Sequence, residues 1–363
     1  MLVQHAALSR QIVDIFRAWG MGAEDAETVA EILVETDLRG IDSHGVSMLP
    51  MYEGMVKAGT LNMRPTLVVE RDTPVLALIN AGGGIGHTVM RRAMAMACDK
   101  AKNVGIGVVS VYNSHHFGAA GLYAETAAER GLLGFVTSSA RTLAVIPTRG
   151  AVPMLGTNPI AFAAPASRNP PFLLDMATST VAVNKVKVYA LNDKPLPVGW
   201  VVDGKGRNVT DAAAGLKLCS EQVEGGLLPL GGNTETAGYK GYGLAMLAQL
   251  LGSTLAGGSF SPLRRLRQGD AVPDNIGHFC LAIDPAAFRA PGEFEADTDD
   301  ILDMLRQMPA ASPIEPVLVA GDPERANRAE RLREGIPMPE TLLRQLRAIA
   351  SRAQVTYAME EPA

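Results

Sequence analysis

Residues 82–87 read Gly82-Gly83-Gly84-Ile85-Gly86-His87, and they decide what kind of α/β chain this is. A dinucleotide fingerprint, G-x-G-x-x-G, begun at Gly82 needs its last glycine at position 87, where helix and strand pack closely. His87 stands there instead, and no acidic residue is well placed about 20 residues later to meet a ribose. The run therefore reads as a flexible turn before a helix, in a fold without a Rossmann turn.

Working outward, residues 75–79 form a short apolar strand and 88–102 a helix. A strand at 105–112, a helix at 119–130 and a strand at 134–138 follow. Further short apolar strands are expected at 143–146, 160–164, 172–174, 277–283 and 316–319. Residues 194–216, with Asp203-Gly204, read as loop and hairpin, and 244–255 as an almost wholly apolar helix. Toward the N-terminus, Leu8, Ile12, Ile15, Phe16 and Trp19 keep helical spacing, and a second helix spans about 24–39. Asp42 or Ser43 can cap a third, to about residue 58, which Pro50 must kink or split. A helix at 340–352 closes the chain. The domain reading is a helical segment at 1–72, a mixed α/β body at 73–320, and a helical segment at 321–363 packing with the first. The acidic stretch 293–303 reads as a solvated helix face.

The chain has 363 residues, enough for about two domains. Its 33 basic against 38 acidic residues and 5% aromatics leave no electrostatic or stacking footprint for nucleic acid. Three cysteines (Cys98, Cys219, Cys280) without a C-x-x-C argue for a reducing cytoplasm rather than a disulfide framework. The first 20 residues lack the plan of a signal peptide, and the most apolar stretch, 242–258, is too short to span a bilayer. A Walker loop and an H-E-x-x-H pair are missing. Gly40-Ile41-Asp42-Ser43-His44-Gly45 has the wrong spacing for a nucleophile elbow, and adjacent His115 and His116 do not easily face one metal.

Two histidine segments stand out. His44 follows Ser43 at an expected helix start, where the helix dipole disfavours a second proton and keeps the imidazole suited to acid–base work. Ser43 either bonds the ring or caps the helix. Asn113-Ser114-His115-His116-Phe117-Gly118-Ala119-Ala120-Gly121 joins a strand to a helix; its small residues and N–H groups suit a phosphate, or form a plain turn. Leu155-Gly156-Thr157-Asn158-Pro159, Asp175-Met176-Ala177-Thr178-Ser179 and Tyr239-Lys240-Gly241-Tyr242-Gly243 are weaker candidates, with Asp175 readable as a cap and Lys240 as a surface charge.

Taken in order with Asp37-Leu38-Arg39-Gly40-Ile41-Asp42-Ser43-His44-Gly45, Leu227-Leu228-Pro229-Leu230-Gly231-Gly232 and Gly277-His278-Phe279, these segments resemble the non-Rossmann malate/L-lactate dehydrogenase family. That family includes sulfolactate, ureidoglycolate and diketogulonate oxidoreductases and cyclic-imine reductases. The resemblance implies an NAD- or NADP-binding domain on a large, mostly antiparallel sheet, a helical domain from the two chain ends, and an intertwined homodimer. It implies a small-molecule substrate, with His44 as proton donor and Ser43 orienting it. It also implies cofactor contacts at His116, Phe117, Gly118, Ala119, Ala120, Asp175, Met176, Ala177, Tyr239, Lys240, Gly321 and Asp322, and a substrate contact at Thr157.

Two positions depart from the pattern. The family usually places arginine four residues after the catalytic histidine, clamping the substrate carboxylate; here that residue is Met48. Arg141 is the preferred substitute, ahead of Arg149 and Lys185. Val183-Asn184-Lys185 replaces a small-glycine-lysine run on the substrate side, so Asn184 and Lys185 bear on specificity. The leading expectation is a 2-hydroxy-acid/2-keto-acid oxidoreductase with an atypical substrate. A cyclic imino acid reductase and a catalytically idle scaffold are the alternatives.

Overall fold

Polar residues interrupt the terminal segments at helical spacing while the middle alternates, and the chain folds accordingly. The fold is that of a computed structural model, which describes residues 1–268 and 275–359. Its centre is a seven-stranded mixed sheet: β1 (Val68–Asp72), β2 (Leu76–Gly84), β3 (Ile106–Ser114), β4 (Leu133–Ser138), β5 (Ile160–Ala164), β6 (Phe172–Met176) and β7 (Ile276–Ile283). Their spatial order is β1-β2-β3-β7-β4-β5-β6, and only β2 and β3 pair in parallel. The sheet is thus mostly antiparallel, with β7 inserted between β3 and β4.

The glycine run is part of this sheet. β2 extends to Gly84, and Gly82 and Gly83 take positive φ. A side chain on Gly82 would stand 2.8 Å from the Thr66 carbonyl, and one on Gly84 would strike Pro65. The glycines let the chain's own 65–66 segment approach, so they are a packing device.

Helices α4 (Gly86–Val104) and α5 (Gly121–Glu129) cover the sheet and close a core of Val89, Met94, Val109, Val136 and Cys280. A second core joins the chain ends. It combines α1 (His5–Ala18), α2 (Ala23–Leu38) and α3 (Leu49–Lys57) with the late helix Glu340–Arg352, burying Leu8, Ile12, Phe16, Leu33, Tyr52, Leu346 and Ile349 together. Leu2–Val3 pairs with Ile336–Pro337, tying the two ends directly. A third apolar cluster collects Val145, Leu155, Val186, Val201 and Ala245 beside helices at 183–191 and 238–252.

Several expectations are corrected. The third N-terminal helix splits: Val46–Met48 is 3-10 and α3 starts at Leu49, with Pro50 in its first turn, where a missing N–H costs nothing. Residues 143–146 make only isolated bridges, from Val145 to Leu155 and Leu227, and 316–319 form no strand. The 194–216 stretch keeps its Asp203 turn but also starts a helix, Ala212–Glu221, whose Asp211 caps the Ala214 N–H. The acidic helix Glu293–Arg306 forms, yet Asp299 is fully buried and accepts N–H bonds from Ser167, Arg168 and Asn169. No single described helix is long and apolar enough to cross a membrane.

Candidate active site

The loop after α2 is built to hold His44 still. Asp37, buried in the last turn of α2, accepts the Val46 N–H at 2.8 Å. A side chain on Gly45 would fall inside the Asp37 carboxylate, so only glycine lets the loop pass. On the outer side, Arg331 donates to the Asp37 carbonyl and to Asp42, each at 2.5 Å. Ser43 Oγ lies 2.7 Å from His44 Nδ1. Of the two roles open to Ser43, the ring bond is the one it takes; neither Asp42 nor Ser43 caps a helix. Burial pushes the His44 imidazole below its ordinary value. The expected cause, a helix dipole, is replaced by desolvation, because α3 begins five residues after His44.

His44 stacks on His116, with ring centroids 5.5 Å apart and an interplanar angle of 27°. His116 opens the loop between β3 and α5, and its Nδ1 lies 2.6 Å from the Tyr52 hydroxyl. The neighbouring Phe117 side chain is buried between Tyr123 and His278, at 5.4 and 4.7 Å between centroids. His278 is held by Ser138 Oγ at 2.8 Å and Ser114 Oγ at 2.9 Å. The loop's N–H groups are partly engaged within the chain. Gly118 N–H approaches His116 Nδ1 at 3.4 Å, and Gly121 N–H donates to Asp175 Oδ2 at 2.7 Å. A phosphate cradle on those two amides is therefore not what the loop offers.

Asp175, on β6, reaches this loop from the opposite side. A side chain on Gly121 would stand 2.9 Å from its Cβ. Burial, opposed by the Gly121 hydrogen bond, raises the Asp175 carboxyl to about 6. Met176 and Ala177 follow, half-buried. Leu173 N–H donates to Ala320 O, which brings the turn at Gly321 beside β6. Asp322 is already occupied: Arg306 pairs with it at 2.8 Å and the Val319 N–H donates to it at 3.0 Å. Arg39, paired with Glu35 and with Glu125 at 2.5 Å, lowers the Asp175 carboxyl from the α2 side.

Ser43, His44, the 116–121 loop and Asp175 thus converge through direct contacts, and the Ala320 carbonyl ties the Gly321 turn to the strand that carries Asp175. The other expected residues sit apart from that chain of contacts. Met48 packs against the helical core of the chain ends. Arg141, Arg149, Asn184, Tyr239 and Lys240 are exposed. The Lys185 ammonium lies 5.5 Å over the Trp200 ring, within the third apolar cluster. Thr157 gives its carbonyl to Thr178 N–H at 2.8 Å. Tyr52 carries no signal in the sequence, and Asp37 and Asn158 lie in segments that stood out without a role of their own. Asn158, fully buried, accepts from Ala140 N at 2.9 Å and donates to Ala245 O at 3.0 Å, fixing the Arg141 turn to the helix at 238–252.

Comparison with known proteins places this architecture. The family model described as malate/L-lactate dehydrogenase matches residues 3–347. The chain is 38% identical over 346 residues to a malate dehydrogenase of Pyrococcus horikoshii, covering 95% of this chain and 93% of that one. It is 34% identical to an L-sulfolactate dehydrogenase of Methanocaldococcus jannaschii, covering 94% of each. Among solved structures, Pyrococcus horikoshii malate dehydrogenase superposes with TM-score 0.87 at 35% identity, covering 98% of this chain and 96% of that one. A delta1-piperideine-2-carboxylate reductase of Pseudomonas syringae superposes with TM-score 0.81 at 28% identity, covering 96% and 100%. Relatives named as malate and sulfolactate dehydrogenases over nearly the whole chain place this protein among the oxidoreductases that act on the CH–OH group of hydroxy acids. The chain belongs to the malate/L-lactate dehydrogenase family.

Proposed function

We propose that this protein is an NAD- or NADP-dependent oxidoreductase interconverting a 2-hydroxy acid and a 2-keto acid, with an atypical substrate. The observation that carries the reading is the Ser43–His44 pair, bonded at 2.7 Å and seated against His116. The residues present fit a nicotinamide dinucleotide. Asp175 gives one oxygen to Gly121 N–H, which leaves the other to accept from a ribose hydroxyl. The loop from Gly118 to Gly121 keeps that approach free of large side chains. When bound, the nicotinamide supplies or accepts the hydride.

The chain's own part is proton handling and alignment. With Nδ1–H donating to Ser43 Oγ, His44 Nε2 presents its lone pair to the substrate hydroxyl. Desolvation keeps the ring neutral at rest, ready to take that proton during oxidation and to return it during reduction. Ser43, Asp37 and Gly45 fix the ring's direction, which is where alignment enters the rate.

Substrate choice turns on Met48. A thioether in place of a guanidinium removes a charged hydrogen bond worth about 2–3 kcal/mol to a carboxylate. Arg141 is proposed as the replacement, on the turn that Asn158 anchors. A homodimer is proposed as the working unit. Its support within the chain is the set of exposed apolar side chains Ile301, Met304 and Leu305 on the helix Glu293–Arg306, with Met308 just past its end, which a partner would cover. Three buried free cysteines favour a reducing, cytoplasmic setting. The likeness to the piperideine-carboxylate reductase supports a second reading, reduction of a cyclic imino acid by the same proton donor.

The test is NADH and NADPH oxidation against a panel of 2-keto acids and cyclic imino acids, with His44→Ala as control. Turnover lost in the control supports the reading and ranks the two substrate classes. No turnover with any member overturns it, and absence of cofactor binding as well would favour an idle scaffold. Arg141→Ala is expected to raise KM for an acidic substrate by at least about tenfold; an unchanged KM removes Arg141 from the role.

A further inference from the structure

Tyr52 is fully buried in α3, and its hydroxyl lies 2.6 Å from His116 Nδ1. A buried phenol O–H requires an acceptor, and among the described residues the imidazole nitrogen is the partner it has. A second donor converges on the same atom, since Gly118 N–H approaches Nδ1 at 3.4 Å. Were Nδ1 protonated, it would face the Gly118 N–H donor to donor and leave the phenol proton without an acceptor. Hydrogen-bond counting therefore puts the lone pair on Nδ1 and the proton on Nε2. The ring is also neutral: desolvation, and then the neighbouring His44, His87 and His278 rings, oppose a second proton. His116 is half-buried and stacks on His44, so the part of the ring turned away from Tyr52 borders the reacting site.

We infer that Tyr52 is a positioning residue that holds the His116 proton on Nε2, so that the ring presents a neutral N–H donor beside His44 to a carbonyl or carboxylate oxygen of the bound substrate. A neutral imidazole suits that task, because it polarises an oxygen without adding a charge that would suppress protonation of His44. It also supplies part of the oxygen recognition that Met48 does not. The kinetic consequence rests on the hydroxy-acid reading above; the tautomer does not.

The experiment is nitrogen NMR of ¹⁵N-histidine-labelled full-length protein, with His116 assigned by its loss in His116→Gln. The expected wild-type spectrum shows His116 Nδ1 unprotonated and Nε2 protonated. A protonated Nδ1 overturns the inference, and this arm needs no variant to fold. In Tyr52→Phe, the two tautomers are expected to mix, moving both nitrogens to intermediate shifts. An unchanged tautomer there overturns the role of Tyr52. With the best substrate of the panel, kcat of Tyr52→Phe is expected to fall on the order of tenfold, with KM for the nicotinamide cofactor changed less than twofold. A moved tautomer with unchanged kcat and substrate KM overturns the donor role of His116. If the wild type shows the Nε2 proton but turns over no substrate, the hydroxy-acid reading fails and the Tyr52–His116 assignment stands.

Discussion

Asp37 offers the sharpest physical test of how the active-site loop is held. Its carboxyl lies at the buried end of α2 with the Val46 N–H on one oxygen and Gly45 pressed against it. That carboxyl is pushed up to about 8: desolvation is the largest cause and is opposed by the Val46 hydrogen bond, while Asp42 adds to the rise and Arg331 takes from it. In the unfolded chain the same group titrates near ~3.9. Between those values the folded protein binds a proton that the unfolded chain releases, so stability falls as pH rises from about 4 toward 8. Each pH unit in that window is worth about 1.4 kcal/mol. At an unfolding entropy of ~2.1 cal/mol/K per residue, that corresponds to about 2 °C in Tm per pH unit for a chain of this size.

Asp37→Asn removes the titration and keeps an oxygen for the Val46 N–H. The measurement is Tm of wild type and Asp37→Asn side by side at pH 5, 6, 7 and 8. The variant is expected to gain on the wild type by about 2 °C per pH unit, reaching roughly 5 °C across the series. A difference between the two that stays constant with pH refutes the reasoning, because it would mean that Asp37 does not hold its proton in the folded state.

Other substitutions probe the same geometry. Gly45→Ala forces a methyl into the Asp37 carboxylate, so about 1–3 kcal/mol of stability should be lost along with most of the kcat; a fully active, equally stable variant would show that the loop yields freely. Ser43→Ala removes the bond to His44 Nδ1 and should lower kcat about tenfold with KM nearly unchanged, as read by steady-state kinetics. Asn158→Ala leaves Ala140 N and Ala245 O without their partner, and denaturant titration should register a loss of about 2–4 kcal/mol.

What the sequence made legible follows from how local each signal is. The helix expected at 340–352 has the bounds Glu340–Arg352, since its apolar spacing and Pro339 start signal lie within one segment. Ser43 and His44 are neighbours in the chain, so their hydrogen bond could be anticipated from two residues. The glycine run excluded a Rossmann turn on spacing alone, while its real use, the approach of Pro65 and Thr66, needed the fold. Residues 143–146 and 316–319 are apolar enough to look like strands, but their partners across the fold supply only isolated bridges to Val145 and none to 316–319.

The residues whose role the sequence hides share a property. Tyr52 meets its partner 64 positions away, Asn158 reaches Ala245 across 87, and Asp299 caps amides some 130 residues earlier. Each is a polar group whose surroundings look ordinary in the sequence: an aromatic in an apolar helix, an amide in a turn, one acid among many. Asp37 differs, because a signal was present. Val29, Ile32, Leu33 and Thr36 mark the buried face of α2, and Asp37 continues it one step before the helix ends. An acid on an apolar stripe, eight residues ahead of a glycine that follows a histidine, must find a donor or keep its proton. Here it does both, taking the Val46 N–H while burial holds its proton, and that buried contact helps to hold the loop that carries His44.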